Sequence, residues 1–446
     1  MPNPQQSAAN ASRAAIENII GQLQQNFTNH MWLRPANRYA ADTIGRLKSD
    51  TGNPSALVCA DLAEYVAAST PVHLLDGWAF LGRAIDASFR GDPDTSRHLG
   101  YYAELRAVMA LLASEGLGIF KDRHFVIDAF AQPSMILPMH GTHTIAWDLL
   151  EAWCQLPKAA ALVGQVVAVG GVTLSTWMSH FGLSPGNALQ PVAAGWFTTW
   201  GLDLKQFGND REARNDSSYR PTGLSQPRSA KAQACFDTVT DLWRVFEPTT
   251  TGRFEVIDSY LLRLCLETIF KSTTASTTRA TARRRYRQAI SQMVSRANSG
   301  ADNRRLRAFL LRAQKRTDPN VLRLARKTDP PSAPDHHLQV LSRAALLLRI
   351  ASGACALLLQ AGGTSLSHLH FWWSRLGERR GCWERASEPP DVTDLWADTE
   401  QALEQLRAKQ SALGPRASLL SWRRESLKEV ALLGECERIG LWGINV

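Results

Sequence analysis

The sequence predicts an all-α protein, built of multi-helix bundle domains with one small β-hairpin near residues 117–128. Three observations lead there. Apolar residues recur at three- and four-residue steps along most of the chain, the spacing that lines one face of a helix. A convincing strand pattern is confined to one short stretch. No period of 20–50 residues repeats, which argues against a solenoid.

At roughly 150 residues per domain, 446 residues suggest two or three domains. The expected divisions are an N-terminal extension over 1–50, a helical domain with the hairpin insert over 51–272, a basic helical segment over 273–331 and a C-terminal helical domain over 332–446. Pro54–Ala68, His73–Phe89 and Ser96–Glu115 each keep helical spacing for two turns or more. In the third, Tyr101, Leu105, Val108, Met109 and Leu112 share a face. Asp94 and Thr95 are candidate N-caps, and Gly116 and Gly118 stop the helix. Leu117–Phe120 and His124–Ile127, joined by Lys121, Asp122 and Arg123, form the hairpin. Helices resume at Thr144–Trp153, Gln165–His180 (interrupted by Gly170 and Gly171) and Pro191–Trp200. A polar, turn-rich stretch then runs from Gly208 to Pro227. Arg228–Phe246 and Phe254–Phe270 are amphipathic helices, and Lys271–Ala282 reads as a Ser/Thr-rich linker. After the basic region come Leu338–Gln360, Asp391–Leu413 and Ser421–Leu433.

Composition removes several classes. With 44% hydrophobic and 20% charged residues, the chain is neither collagen-like, mucin-like nor wholly disordered. The seven cysteines are scattered with no paired spacing, as expected for buried thiols in a reducing compartment. The N-terminus lacks a secretory pattern, and the longest apolar run, Leu341–Gln360, is interrupted by Arg343 and Arg349. A soluble, cytoplasmic protein without a membrane partner is expected. There is no phosphate-binding GxxxxGK[ST], GxSxG elbow, HExxH or paired-cysteine deaminase motif. His140 and His143 are three residues apart near Asp148 and Glu151, but no second histidine pair completes a ligand set. No metal and no cofactor are expected. His368 and His370 sit among aromatics and read as buried structural histidines. Glu104, on a strongly apolar helix, reads either as a buried partner of an arginine or as a solvent-edge residue.

Charge is distributed unevenly. The chain carries a formal +9, yet fifteen basic and only two acidic residues fall between Arg279 and Lys327. That segment is +13 and leaves the rest near −4. Tyr286, Ile290, Met293 and Val294 mark the buried side of one helix there, and Leu306, Phe309 and Leu310 that of the next. Arg283, Arg284, Arg285, Arg287, Arg304, Arg305, Arg307, Arg312, Lys315 and Arg316 can then line the solvent side, each able to neutralise a phosphate. A solvated helical face, or one that docks on an acidic protein, is the competing reading.

Within the polar stretch, Arg214 is followed directly by Asn215 and, after four intervening residues, by Tyr219. Here the sequence resembles the HEPN superfamily, helical-bundle proteins common in prokaryotic toxin–antitoxin and anti-phage defence systems. Their signature is an Arg, a polar residue and a nearby His, placed before the final bundle helix, and Arg228–Phe246 follows suitably. The resemblance implies metal-independent RNA cleavage. Arg214 would stabilise charge on the phosphorane, Asn215 would be the polar residue, and Tyr219 would stand where the family has its proton-transferring His. A phenol, with an ordinary pKa near 10, is a poor base at neutral pH. Two readings follow. One is a HEPN-like nuclease in prokaryotic defence. The other is a non-catalytic nucleic-acid-binding or adaptor subunit of a multi-protein complex, with companion subunits or a second copy as partners.

Overall fold

Three long helices, Cys59–Phe89, Pro93–Ala113 and His336–Ala361, pack against one another at the centre of the molecule. In the computed structural model the described residues are 2–53, 56–181, 193–219, 231–249, 252–273, 278–297, 302–385, 387–414 and 416–445. Among them are 21 α-helices and two small antiparallel sheets, so the chain is mostly α with a small β element. One contiguous apolar core runs from Ala8 to Ile444 and takes in side chains from all four expected divisions. The first fifty residues belong to that core. Ile16, Ile19, Ile20, Leu23 and Phe27 of the Arg13–Thr28 helix are buried, and this helix packs on Cys59–Phe89.

Several expectations change in detail. The helices expected on either side of residues 69–72 are one 31-residue helix running through Pro71. Proline forfeits one hydrogen bond there, but Ala67, Ala68, Thr70, Pro71, Leu74 and Leu75 are all buried and packing holds the helix together. The next helix is capped by Asp92, whose side chain accepts from the Thr95 N–H, with Pro93 in the first turn. Gln165–His180 is not one helix. Pro157–Val166 ends, a two-stranded hairpin (168–169 with 172–173) turns at Gly170 and Gly171, both with positive φ, and Leu174–His180 follows. The hairpin of Leu117–Ile119 and His124–Ile127 gains a third strand, Pro133–Met135. His368 and His370 are exposed rather than buried, and His370 Nε2 lies 2.7 Å from Glu388 Oε1.

The largest change concerns the polar stretch. Leu204–Tyr219 is a continuous helix, because Phe207, Asp210 and Ala213 form a buried stripe against Pro93–Ala113 and Thr142–Cys154. Phe207 stacks on Trp147 with 4.6 Å between ring centroids. Tertiary burial overrides the turn preference of the Asn, Asp and Ser side chains. The remainder of that stretch, from Arg220, lies outside the described residues. So do Pro54 and Ser55, Pro191 and Val192, and the start of the expected Arg228–Phe246 helix.

The Cys59–Phe89 helix meets the C-terminus at close quarters. A Cβ at Gly82 would run into the backbone carbonyl of Gly434, and Trp243 Nε1 donates to the Leu433 carbonyl at 3.1 Å beside it. Gly82→Ala is therefore expected to destabilise the fold by about 1–3 kcal/mol, the usual penalty of overpacking. Urea unfolding checks this, and an unchanged midpoint would show that the contact yields. The His336–Ala361 helix is long and apolar enough to span a membrane by length and composition, yet 72% of its most apolar window is buried inside the fold. Its two arginines explain the interruption noted in the sequence. Arg343 meets Asp210 with a bidentate pair of 2.6 and 2.7 Å, and Arg349 meets Asp258 at 2.6 and 2.9 Å.

Candidate functional site

The basic segment forms two helices, Arg279–Arg296 and Asn303–Leu310, followed by a turn and the short Asn320–Ala325 helix. Ile290, Met293, Val294, Leu306 and Leu310 are buried, so their apolar spacing fixes which side of each helix faces the body. Arg283, Arg284, Arg285, Arg287, Arg304, Arg305, Arg307, Lys315 and Arg316 are exposed on the outside. Asp302 caps the second helix by accepting from the Arg304 and Arg305 N–H groups at 2.9 and 3.3 Å.

Arg312 behaves differently from its neighbours. Its guanidinium is half-buried and spent on Glu267, at 2.5 and 2.9 Å, and on Asp318 at 3.1 Å. Asp318 also receives Arg263 at 2.7 Å and Arg326 at 2.8 Å. Burial pushes the Asp318 carboxyl up, but hydrogen bonds from Arg326, Arg263 and Arg312 outweigh it and hold the group at about 2. Arg263 is fully buried, donates to the carbonyls of Phe309 and Lys315, and lies over the Tyr260 and Phe309 rings at 4.8 and 4.4 Å. One acid thus ties three arginines into a clamp beneath the basic surface. Arg312 anchors that surface rather than presenting charge on it.

Arg214 and Asn215 lie in the middle of the Leu204–Tyr219 helix. Arg214 Nη1 donates to Asn215 Oδ1 at 2.7 Å, and its Nη2 donates to Tyr102 Oη at 2.7 Å. That same Nη2 is 3.2 Å from His143 Nε2, and the guanidinium lies 5.2 and 5.6 Å from the Tyr102 and Tyr101 ring centroids. These hydrogen-bond partners are uncharged, so the cation is held without being neutralised by them. Tyr219 is not part of the group. Five residues turn a helix by about 140° beyond one full circle, and Tyr219 is 80% exposed on another face. Ser218, one turn on from Arg214, instead meets His98 Nδ1 at 2.9 Å.

A histidine from elsewhere in the chain meets Arg214. His143, from Thr142–Cys154, points one nitrogen at Arg214 and the other at Tyr101 Oη, 3.1 Å away. Because Arg214 can only donate, His143 Nε2 is the acceptor and Nδ1 carries the proton. Burial, then Arg214, Arg211 and His98, lower the His143 pKa, and burial with Arg214 lowers that of His98. Both rings are neutral at neutral pH. Burial pushes the Tyr101 phenol up to about 12. His143 and Tyr102 border an open cleft of about 450 Å³ that His73 and Arg106 also line. Arg106 Nη1 is 2.7 Å from His73 Nδ1, and burial followed by Arg106 lowers that imidazole to about 3. His140 is apart from this, 3.6 Å from Asp148. Among the described residues no group of three His, Cys, Asp or Glu side chains is arranged to hold a metal.

No protein family, curated protein or solved structure matches the chain. Function must therefore be read from the two regions themselves, and they sit on different elements. Leu204–Tyr219 packs on Pro93–Ala113, Thr142–Cys154 and Ala193–Trp200, whereas Arg279–Arg296 packs on Asn303–Leu310 and Leu174–His180.

Behind the Arg214 group is a buried charge cluster. Glu104, Asp210 and Arg343 are all at most 1% exposed, with Glu104 Oε1 3.8 Å from Arg343 Nε. Burial, and then the neighbouring Asp210 charge, raise Glu104 well above the ordinary carboxyl range, which favours its protonated form. Asp210 is one turn from Arg214 on the same helix face, so this cluster sets the register in which Arg214 meets His143.

Proposed function

We propose that the chain is a nucleic-acid-binding helical protein that contacts phosphates through the outer faces of Arg279–Arg296 and Asn303–Leu310. The observation that carries this reading is the concentration of exposed basic side chains, Arg283, Arg284, Arg285, Arg287, Arg304, Arg305, Arg307, Lys315 and Arg316 among them, on one small, internally anchored unit. Their apolar faces are consumed by the core, Asp318 and Glu267 by the clamp, and Asp302 by the helix cap and Arg305 at 3.6 Å, which leaves most of the outward charge for a polyanion. Arginine-selective modification with and without bound RNA tests the placement. Arg283, Arg284, Arg285, Arg287, Arg304, Arg305 and Arg307 should be protected, and protection confined to other arginines would contradict it.

A second reading, HEPN-like metal-independent RNA cleavage, is favoured by the approach of His143 to Arg214 at the edge of a cleft. Both imidazole nitrogens are occupied in this state. A phosphodiester that drew Arg214 Nη2 onto its non-bridging oxygens would release His143 Nε2 to take the 2′-hydroxyl proton, with Tyr101 keeping the ring oriented. In this reading Arg214→Ala and His143→Ala each reduce RNA cleavage in EDTA by about 10²-fold or more, while Tyr219→Phe leaves it unchanged. Cleavage by wild type that survives both alanine variants would remove the reading, as would dependence on an added divalent metal.

A further inference from the structure

The basic unit is not a plain charged face. Between it and the Glu255–Thr273 helix lies a groove of about 540 Å³, a size within the ~300–1,000 Å³ of small-ligand sites. Its floor is aromatic and aliphatic, with Phe270 and Tyr286 4.9 Å apart between ring centroids and Leu310 beside them. Its rim carries Arg283 and Arg287, one helical turn apart and both exposed. Glu267, the one carboxylate in the lining among the described residues, is already paired with Arg312. Tyr286 Oη is buried and has no hydrogen-bond partner among the described residues. A buried hydroxyl left in that state costs free energy, so it marks a place where a donor or acceptor is wanted.

From the juxtaposition of an aromatic floor, an unpaired buried hydroxyl and an arginine rim, we infer that this groove accepts an unpaired nucleobase of a single-stranded nucleic acid. The inference rests on the nucleic-acid-binding reading above and narrows it to a substrate class. Arg283 and Arg287 hold the phosphates on either side of the inserted nucleotide, and the base lies against Phe270 and Tyr286. A duplex cannot do this without unstacking, because its bases offer only their edges in the grooves. A peptide carrying carboxylates would satisfy the rim but leave the aromatic floor unused.

The test compares a single-stranded RNA oligomer with a blunt duplex of the same sequence, each titrated with the full chain at one fixed KCl concentration. The wild type should prefer the single strand. Tyr286→Leu, which keeps the groove filled but removes the ring, should lower single-strand affinity by roughly 5- to 150-fold, the range for loss of one stacked base, and leave duplex affinity within about twofold. Tyr286→Phe serves as the fold-conserving control. It keeps the ring, so it should retain the single-strand preference. Equal affinity of wild type for both forms, unmoved by Tyr286→Leu, would overturn the groove assignment and leave phosphate binding by the basic helices standing. Absence of binding to either form would overturn both.

Discussion

Reversing the charge of Arg283, Arg284, Arg285 and Arg287 together is expected to lower nucleic-acid affinity by roughly 10²–10³-fold at 0.1 M salt. Each phosphate contact to a single strand releases about 0.7 counterion, so four lost contacts flatten the salt dependence by about 3 logarithmic units per decade. The four side chains are exposed, and surface substitutions of this kind ordinarily shift stability by no more than about 0.5 kcal/mol each. Loss of binding with an unchanged urea midpoint therefore reports the contact surface and not the fold. Arg312→Ala is a poor substitute for this experiment. It breaks the pair with Glu267 and loosens the Asp318 clamp, so affinity and stability fall together.

The largest stability effect is expected at the buried Glu104, Asp210 and Arg343 cluster. Arg343→Ala leaves Asp210 and Glu104 buried without their cation, and breaking a buried pair in this way costs about 3–5 kcal/mol. Urea unfolding measures it, and a loss below about 1 kcal/mol would show that water reaches the cluster on truncation. The same cluster gives a pH dependence of definite sign. Glu104 and Asp210 both have folded-state pKa values raised by burial above their ordinary 4.5 and 3.8. Their protonated forms favour the folded state, so this contribution is present below about pH 4 and is lost as the pH rises through the folded-state values. Glu104→Gln keeps the shape and no longer titrates. Its stability should match or exceed wild type at pH 7, with a shallower decline as the pH rises above the ordinary carboxyl range.

Much of this fold is legible along the chain because helical spacing and burial coincide. The Pro93–Ala113 face bearing Tyr101, Leu105 and Leu112 is buried as its periodicity implies. Glu104, left open between a buried and a solvent-edge role, belongs to the buried cluster with Arg343. Other features depend on contacts that local pattern does not carry. Leu204–Tyr219 looks like a turn because Asn, Asp and Ser prefer one, and only docking of Phe207, Asp210 and Ala213 makes it a helix. That helix in turn decides the candidate site, since its pitch sends Tyr219 to solvent and Arg214 inward. His143 was visible as a residue, but its spacing suggested pairing with His140. Its approach to Arg214 spans 71 positions of sequence. Arg312 shares the spacing of its exposed neighbours, and its diversion to Glu267, 45 residues upstream, is equally tertiary. The sign of the basic segment needed none of this, because fifteen cations and two acids in one short stretch cannot all be neutralised locally.

The central claim is that exposed arginines on Arg279–Arg296 and Asn303–Leu310 bind phosphates, and the direct measurement is the salt dependence of affinity. A labelled single-stranded RNA titrated with the wild-type chain between 50 and 400 mM KCl should give log K falling linearly against log salt with a slope of about −3 or steeper. The charge-reversed quadruple variant should lose about 3 units of that slope. A wild-type slope near zero, or one the variant leaves unchanged, would contradict the account.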